Sequence, residues 1–271
     1  MTKNKTMTVT SLAVLTIAVS LITPAFADFI GINGQFMSII HSGEDIDKEI
    51  TVPEETFDGF PNPVATEPLT VTATSLCGND NIGNPIITIT PAQYTEVSFG
   101  DMVSFNEKVT AMPGAYWCFV EFEVADVNTN SHTDVQENHF DVIGSTGYWK
   151  NHPDATLWVL DNKGSITIGT EVFTDAEAAD VQDILKKKGG NTVDKFAAQA
   201  AAAQLNYLAV MEAPCQNVVD ALNDGNALID SLGYDGTPRS VSNLDSKPDK
   251  SEINGYKDTL DEFNNDNTCF I

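Results

Sequence analysis

The period of the apolar residues changes once along this chain, near Gly144, and this change constrains the fold more than any other feature. Before it, apolar and polar residues alternate, which is typical of strands with one buried and one solvated face. After it, apolar residues recur at helical spacing. The sequence therefore predicts a multidomain chain, with an all-β domain over residues 28–144 and a mainly α domain over residues 145–271.

Residues 1–27 have the pattern of a secretory signal peptide. Two lysines precede a largely apolar run over residues 7–22, which is short for a membrane span, and Ala25-Phe26-Ala27 is a small-x-small cleavage site. We predict cleavage after Ala27, with an uncleaved anchor as the alternative. The mature chain is then secreted, extracellular or associated with the cell surface, without a stable membrane span.

Acidic residues dominate the charge of the chain. It contains 39 Asp+Glu against 14 Lys+Arg, a formal net charge of −25. Such a charge repels phosphate backbones and anionic membranes, so nucleic acid is excluded as a partner. Residues 28–144 carry 19 acidic residues and only Lys48 and Lys108 as bases, so calcium or cationic partners are expected there first.

The predicted strands of the first half suit an Ig-like antiparallel sandwich. Apolar residues occupy every second position of three segments: Leu69 to Ala73, Val103 to Val109 and Tyr116 to Val124. In the middle segment Glu107 falls on the same face as Phe105 and Val109. Tyr116 stands two residues before Cys118, which resembles the tyrosine corner of immunoglobulin-like domains. No Trp follows the first Cys on the next strand, so the likeness concerns shape and not family.

The four cysteines all lie in the predicted exported part. An even number of cysteines outside the cell favours disulfides over free thiols. Three pairings are open, and one of them keeps each bond within one predicted domain: Cys77 with Cys118, and Cys215 with Cys269.

The second half carries helix signals. Thr174-Asp175-Ala176-Glu177 is a capping box that predicts a helix to about Lys188. An alanine-rich helix is expected from about Thr192 to Met211, where many small side chains let another element pack close. Short helices follow at 215–223 and 225–232, and an amphipathic helix near 250–264.

A heptapeptide opens this half, and it consists of Gly147, Tyr148, Trp149, Lys150, Asn151, His152 and Pro153. Ile166-Thr167-Ile168-Gly169, the capping box and an alanine-rich helix ending in Leu205-Asn206 follow in order. This series, over about residues 145–232, resembles the G-[FY]-W-K-N-H-P module of secreted and surface proteins from bacteria and archaea. The alanines depart from larger apolar residues in the module's second helix. The resemblance implies a hairpin at Ile166–Gly169 and an extracellular setting, and no reaction.

The heptapeptide has a structural and a catalytic interpretation. In the first, Tyr148 and Trp149 anchor the chain by burial and His152-Pro153 fixes a turn. In the second, His152 is a base or a metal ligand with Asp154 nearby. The chain has no G-x-S-x-G, H-E-x-x-H or C-x-x-C-H motif. We therefore predict a protein without catalytic activity, with a secreted hydrolase centred on His152 and Asp154 as the alternative.

One loop has the oxygen spacing of a calcium site. Side-chain oxygens fall at positions 1, 3, 5, 9 and 12 of an EF-hand-like loop. The candidate ligands are Asp126, Asn128, Asn130, Asp134 and Glu137. Ser131 stands where an EF-hand has Gly, and the flanks resemble strands, so a polar hairpin turn is the alternative. Calcium is the only cofactor that the sequence suggests.

These features together predict a secreted or cell-surface structural or interaction protein. Its expected partner is an extracellular protein or a glycan, and calcium stabilises it if the acidic loop binds the ion.

Overall fold

The computed structural model describes residues 31–33, 37–52, 65–78, 86–128, 130–186, 190–242, 244 and 247–266. The predicted signal peptide, residues 1–27, lies outside the described residues, as does Cys269.

The described chain before residue 144 is built from strands. These are β1 (Gly31–Asn33), β2 (Met37–His41), β3 (Asp45–Thr51), β4 (Leu69–Gly78), β5 (Ile86–Thr90), β6 (Gln93–Val97), β7 (Met102–Thr110), β8 (Gly114–Ala125) and β9 (Ser131–Ile143). They form a four-stranded sheet, β1-β3-β7-β5, and a five-stranded sheet, β2-β9-β8-β4-β6. Among the strands that the structure describes, only β2 and β9 pair in parallel. The predicted β-rich first half is thus confirmed.

The two sheets pack face to face because their strands alternate as predicted. Every second residue of β7 is buried from Val103 to Val109, and β8 repeats the pattern from Tyr116 to Val124. Phe105 of one sheet meets Phe122 of the other with ring centroids 5.7 Å apart. Burial of these side chains is the main force that holds the sheets together.

A disulfide joins Cys77 on β4 to Cys118 on β8, as predicted. The two residues are register partners on neighbouring strands of one sheet, whereas the immunoglobulin bond joins two sheets. Cys215 is disulfide-bonded as well, and its predicted partner Cys269 is outside the described residues. Buried Tyr116 donates its hydroxyl hydrogen to the Met112 carbonyl at 2.6 Å, the local contact of a tyrosine corner.

The chain after residue 144 is mainly helical, as predicted. Its elements are α1 (Thr146–Asn151), α2 (Pro153–Asn162), the hairpin β10 (Ile166–Ile168) and β11 (Glu171–Phe173), α3 (Ala178–Leu185), α4 (Thr192–Val210), α5 (Gln216–Ser231) and α6 (Lys247–Asp266). Nearly all of α4 is buried, and its alanines let α3 and α6 approach closely. None of the helices in the described ranges is both long and apolar enough to cross a membrane.

Two helix predictions need correction. The capping box at Thr174 is formed, but it opens a 3₁₀ turn at Asp175–Glu177, and the α-helix begins only at Ala178. The two short helices predicted at 215–223 and 225–232 are one helix, α5. The helix continues through Gly225, and the Phe196 ring of α4 packs where a Cβ of Gly225 would lie.

Candidate functional site

The heptapeptide lies where the sheets meet the helices. Ser145 caps α1 by accepting a hydrogen bond from the Tyr148 amide at 3.1 Å. His152 ends α1 and precedes α2, where Pro153 occupies the first turn and needs no amide donor. The motif therefore turns the chain sharply between two helices directly after β9.

Trp149 is fully buried, and its indole N–H is hydrogen-bonded to the side chain of Asn206 on α4. The Asn206 Oδ1 atom accepts from Trp149 Nε1 at 2.8 Å and from the Gly144 amide at 2.7 Å. The Nδ2 atom of Asn206 donates to the Gly144 carbonyl at 2.9 Å and to Asn264 Oδ1 at 3.0 Å. One carboxamide thus joins the end of β9, α1, α4 and α6.

Buried side chains extend this network on both sides of Trp149. Gln182 of α3 donates from Nε2 to the Trp149 carbonyl at 3.0 Å and to Thr156 Oγ1 at 2.8 Å. Asn264 of α6 donates to the Gln199 carbonyl at 3.0 Å, and the Thr146 hydroxyl donates to Gln199 Oε1. Because these amides are used by one another and by backbone groups, this part of the motif is packed as a scaffold.

Gly144, Trp149 and Asn206 form a joint between the sheets and the helices, and Gly144 has no room there for a side chain. A Cβ on it would lie 2.8 Å from both Trp149 Nε1 and Tyr148 Cδ1. A Cβ atom essentially never lies within 3.0 Å of another heavy atom in a protein. A side chain at position 144 would therefore displace the Trp149 indole from Asn206.

Two histidines line a cleft beside the joint, and its volume is about 410 Å³. The His152 ring stacks on Tyr148 at a centroid distance of 4.0 Å, and its Nδ1 lies 2.8 Å from the Tyr148 carbonyl. His41 contacts the Ile143 and Asn265 carbonyls at 3.2 and 3.1 Å. Asp154 does not line this cleft, and among its described lining residues none is Asp or Glu. Among the described lining residues, none therefore supplies a carboxylate that could orient His152 as a base.

A larger cleft, about 740 Å³, lies between the β10–β11 hairpin, α4 and α5. Gln204 holds the hairpin through the Thr167 amide and carbonyl at 2.8 and 2.7 Å, and Asn226 bonds the Gly169 amide at 2.9 Å. Tyr207 and Asp230 complete a lining of mixed polarity. Sequence reasoning missed this cleft, although Gln204 and Asn226 are polar residues within apolar helical patterns, which is a signal for such a site.

The candidate calcium ligands are divided between a turn and a strand. Asp126, Asn128 and Asn130 lie in the β8–β9 turn, whereas Asp134 and Glu137 lie along β9. Since a strand rises about 3.3 Å per residue, the last two are carried away from the turn. The described backbone therefore differs from an EF-hand loop, which wraps its ligands around one centre. Calcium binding here stays a prediction, and no group of three or more His, Cys, Asp or Glu in the described ranges could hold a metal.

Asp126 instead organises the turn. Its Oδ1 accepts from the Asn128 and Asn130 amides at 2.8 and 2.9 Å, and its Oδ2 from Asn130 Nδ2 at 2.8 Å and the Thr66 amide at 3.1 Å. Burial alone would raise the pKa of Asp126, but these hydrogen bonds, led by those from Asn130, outweigh it and lower the pKa to about 2. This carboxylate acts as an Asx-type turn cap.

Comparisons with known proteins find likeness to solved structures only. Neither a family model nor a curated protein matches the chain. The YadV chaperone matches with a TM-score of 0.31 and 14% identity over 46% of this chain and 58% of its own. The E. coli chaperone DraB matches with a TM-score of 0.30 and 9% identity over 42% and 56%. PapD-like domain 7 of human CEP192 matches with a TM-score of 0.30 and 16% identity over 51% and 98%. The chain thus spans little more than half of the two chaperones, and these partial likenesses assign no function.

We expect Asn206→Ala to lower the stability of the fold strongly, because Asn206 holds the joint together. The substitution leaves the Trp149 indole N–H and both backbone groups of Gly144 buried without partners, and each such group costs about 1–3 kcal/mol. We expect the free energy of unfolding, measured by urea denaturation, to fall by roughly 3 kcal/mol. The matched control is Asn162→Ala on the exposed end of α2, which should change it by less than about 0.5 kcal/mol. Equal effects of the two substitutions would contradict the assigned role of Asn206.

We expect Asp126→Asn to lower the melting temperature by an amount that depends on pH, because the ionised Asp126 side chain accepts the hydrogen bonds of the turn. Because the folded pKa of Asp126 lies below its ordinary value, its ionised form stabilises the fold above about pH 4, and this contribution disappears as pH falls through about 2. The wild type should therefore melt at a higher temperature than the variant at pH 7, and the difference should shrink toward pH 2. A difference that stays constant with pH would show that the charge of Asp126 has no part in it.

Proposed function

We propose that this chain is an exported structural or interaction protein without catalytic activity. The observation that carries the proposal is the burial of Trp149 in the Asn206 network, since it makes the motif a joint between the sandwich and the helices. A rigid joint of this kind suits a protein that presents surfaces to partners.

Three further features support this assignment. Residues 1–27 have the pattern of a signal peptide, the Cys77–Cys118 disulfide suits an oxidising compartment, and the charge of −25 favours a soluble, dispersed chain. The Tyr116 hydroxyl contact supports an Ig-like sandwich. The order of the heptapeptide, the hairpin at Ile166–Ile168 and the alanine-rich helix supports assigning residues 145–232 to the G-[FY]-W-K-N-H-P module.

The cleft beside the β10–β11 hairpin is the proposed partner-binding face. Its lining combines amides, the half-exposed Tyr207 ring and apolar residues such as Leu222 and Val219. Amides and an aromatic ring offer hydrogen bonds and a stacking surface to an extracellular protein segment or a glycan.

If the chain is exported, cleavage of the signal peptide after Ala27 should give the mature protein a defined N-terminus. When the full chain is produced in a bacterium, the exported fraction should begin at Asp28, as read by N-terminal sequencing. A variant that lacks residues 2–22 should stay in the cytoplasm with its remaining leader uncleaved. Full-length chain that begins at Met1 in all fractions would overturn the export part of the proposal.

A substrate panel separates the proposed role from the alternative hydrolase at His152 and Asp154. Wild type and His152→Ala are compared on glycoside, ester and peptide substrates, with melting temperature measured in parallel. We expect the two proteins to be indistinguishable on every substrate, because the His152 ring is occupied with Tyr148. Turnover that His152→Ala abolishes at an unchanged melting temperature would replace the proposal with the hydrolase.

A further inference from the structure

Four polar side chains lie inside the sandwich, where apolar residues are expected. Lys48 on β3 and Glu107 on β7 belong to the four-stranded sheet, and Gln136 and Asn138 on β9 belong to the facing sheet. Lys48, Glu107 and Asn138 are 0% exposed. Charged residues are almost never fully buried unless they are paired, so this layer needs a specific explanation.

The layer separates two apolar clusters of the interior. Phe105 precedes Glu107 on the inward face of β7 and belongs to one cluster, and Val109 follows it and belongs to the other. On β9, Phe140 of the second cluster comes directly after Asn138 on the inward face. The polar groups are therefore shut off from solvent by apolar packing on both sides.

Lys48 reaches across the sandwich to Asn138. Its Nζ atom donates to Asn138 Oδ1 at 3.1 Å, so the amine lies directly beside the Asn138 carboxamide. Glu107 is the diagonal neighbour of Lys48 on the same inward face, because the register pairs Lys48 with Phe105. Diagonal neighbours on adjacent strands are within reach of each other's long side chains.

Several other polar atoms of the layer have no hydrogen-bond partner in the part of the chain that the structure describes. Among the described residues, neither carboxylate oxygen of Glu107 has a hydrogen-bond partner, nor does the Asn138 Nδ2 atom. Glu107 is thus a buried carboxyl without a hydrogen-bond partner next to Lys48, and an unsatisfied buried group of this kind is expected where a side chain has a chemical role.

Burial also sets the protonation of the two ionisable groups. Desolvation raises the pKa of Glu107 to about 7, and the charge of Lys48 offsets this only in part. Desolvation likewise lowers the pKa of Lys48 against the opposing effect of Glu107. Both shifts favour transfer of a proton from the ammonium to the carboxylate, which leaves a neutral amine and a neutral acid. A neutral lysine amine is a nucleophile.

We propose that Lys48 and Asn138 join in an intramolecular isopeptide bond, with Glu107 as the proton-transfer group. The Lys48 Nζ atom attacks the Asn138 carboxamide carbon, and a C–N bond forms while Oδ1 takes up negative charge. The Glu107 carboxyl stabilises that oxygen and carries the proton released by Nζ to the departing Nδ2. The C–Nδ2 bond then breaks and ammonia leaves. Glu107 ends as it began, and the step needs no oxidant, metal or other reactant.

The bond would link the two sheets covalently at the middle of their interface. It replaces a buried amine and a buried carboxamide with one neutral amide, and so leaves fewer polar groups buried in the apolar interior. This inference goes beyond the proposed function, and its failure would leave the interaction role and the joint at Trp149 unaffected.

Intact mass under denaturing, reducing conditions tests the bond on the full purified chain. Loss of ammonia by nucleophilic displacement lowers the mass by about 17 Da relative to the sequence. Glu107→Gln, Lys48→Arg and Asn138→Ala should each show the full mass of their sequences. The matched control is Lys108→Arg, which alters the exposed lysine of the same sheet and should keep the loss.

Tandem mass spectrometry of a tryptic digest identifies the atoms that are joined. The expected product is a branched peptide that links the segment around Lys48 to the segment around Asn138, with no cleavage after Lys48. Wild type at its full sequence mass would overturn the proposal, whether or not any variant folds. So would a loss of ammonia without the branched peptide, because that product is a succinimide at an asparagine.

Discussion

The carboxamide of Asn206 is the interaction on which the arrangement of the helices depends. Its two donors and its acceptor oxygen satisfy the indole N–H of Trp149, both backbone groups of Gly144 and Asn264. Gly144 is the first residue after β9, so the direction in which the chain leaves the sandwich is fixed by a side chain of α4. An apolar residue of the same size at 206 could fill the space but could not satisfy these groups.

The β part depends on a different balance, between apolar burial and a buried polar layer. Phe105 and Phe122 hold the sheets together by packing, as in any sandwich. Lys48, Glu107 and Asn138 stand within the same interface and would weaken it as isolated charges and amides. Their presence at inward positions calls for a specific function, and the proposed covalent link supplies one. The Cys77–Cys118 bond ties two strands within one sheet, so the two links constrain different parts of the sandwich.

Local patterns were sufficient to predict much of the fold. Alternation placed Val103, Phe105, Glu107 and Val109 on one face, and all four are buried there. The predicted alanine-rich helix from Thr192 matches α4 closely, because helix propensity and burial agree along it. The break predicted within 215–232 was wrong, since one helix spans Gln216–Ser231. Gly225 in its middle contacts Phe196, which is 29 positions away in the sequence and therefore invisible to a local pattern.

The candidate sites were harder to predict because they depend on contacts between distant residues. The EF-hand spacing assumed a compact loop, but β9 extends from Ser131 and pairs along its length with β8, so hydrogen bonding of the ladder prevails over the loop pattern. Glu107 was placed on the inward face from sequence, yet nothing in the neighbourhood of Lys48 or Asn138 linked the three residues. Lys48 and Asn138 come into contact because β3 and β9 lie in facing sheets, with the two side chains opposite each other. This is a property of the topology and not of any local sequence pattern. The polar residue at an apolar position of a strand is the sequence signal that remains, and it marks the place where the packing rules are broken for a chemical reason.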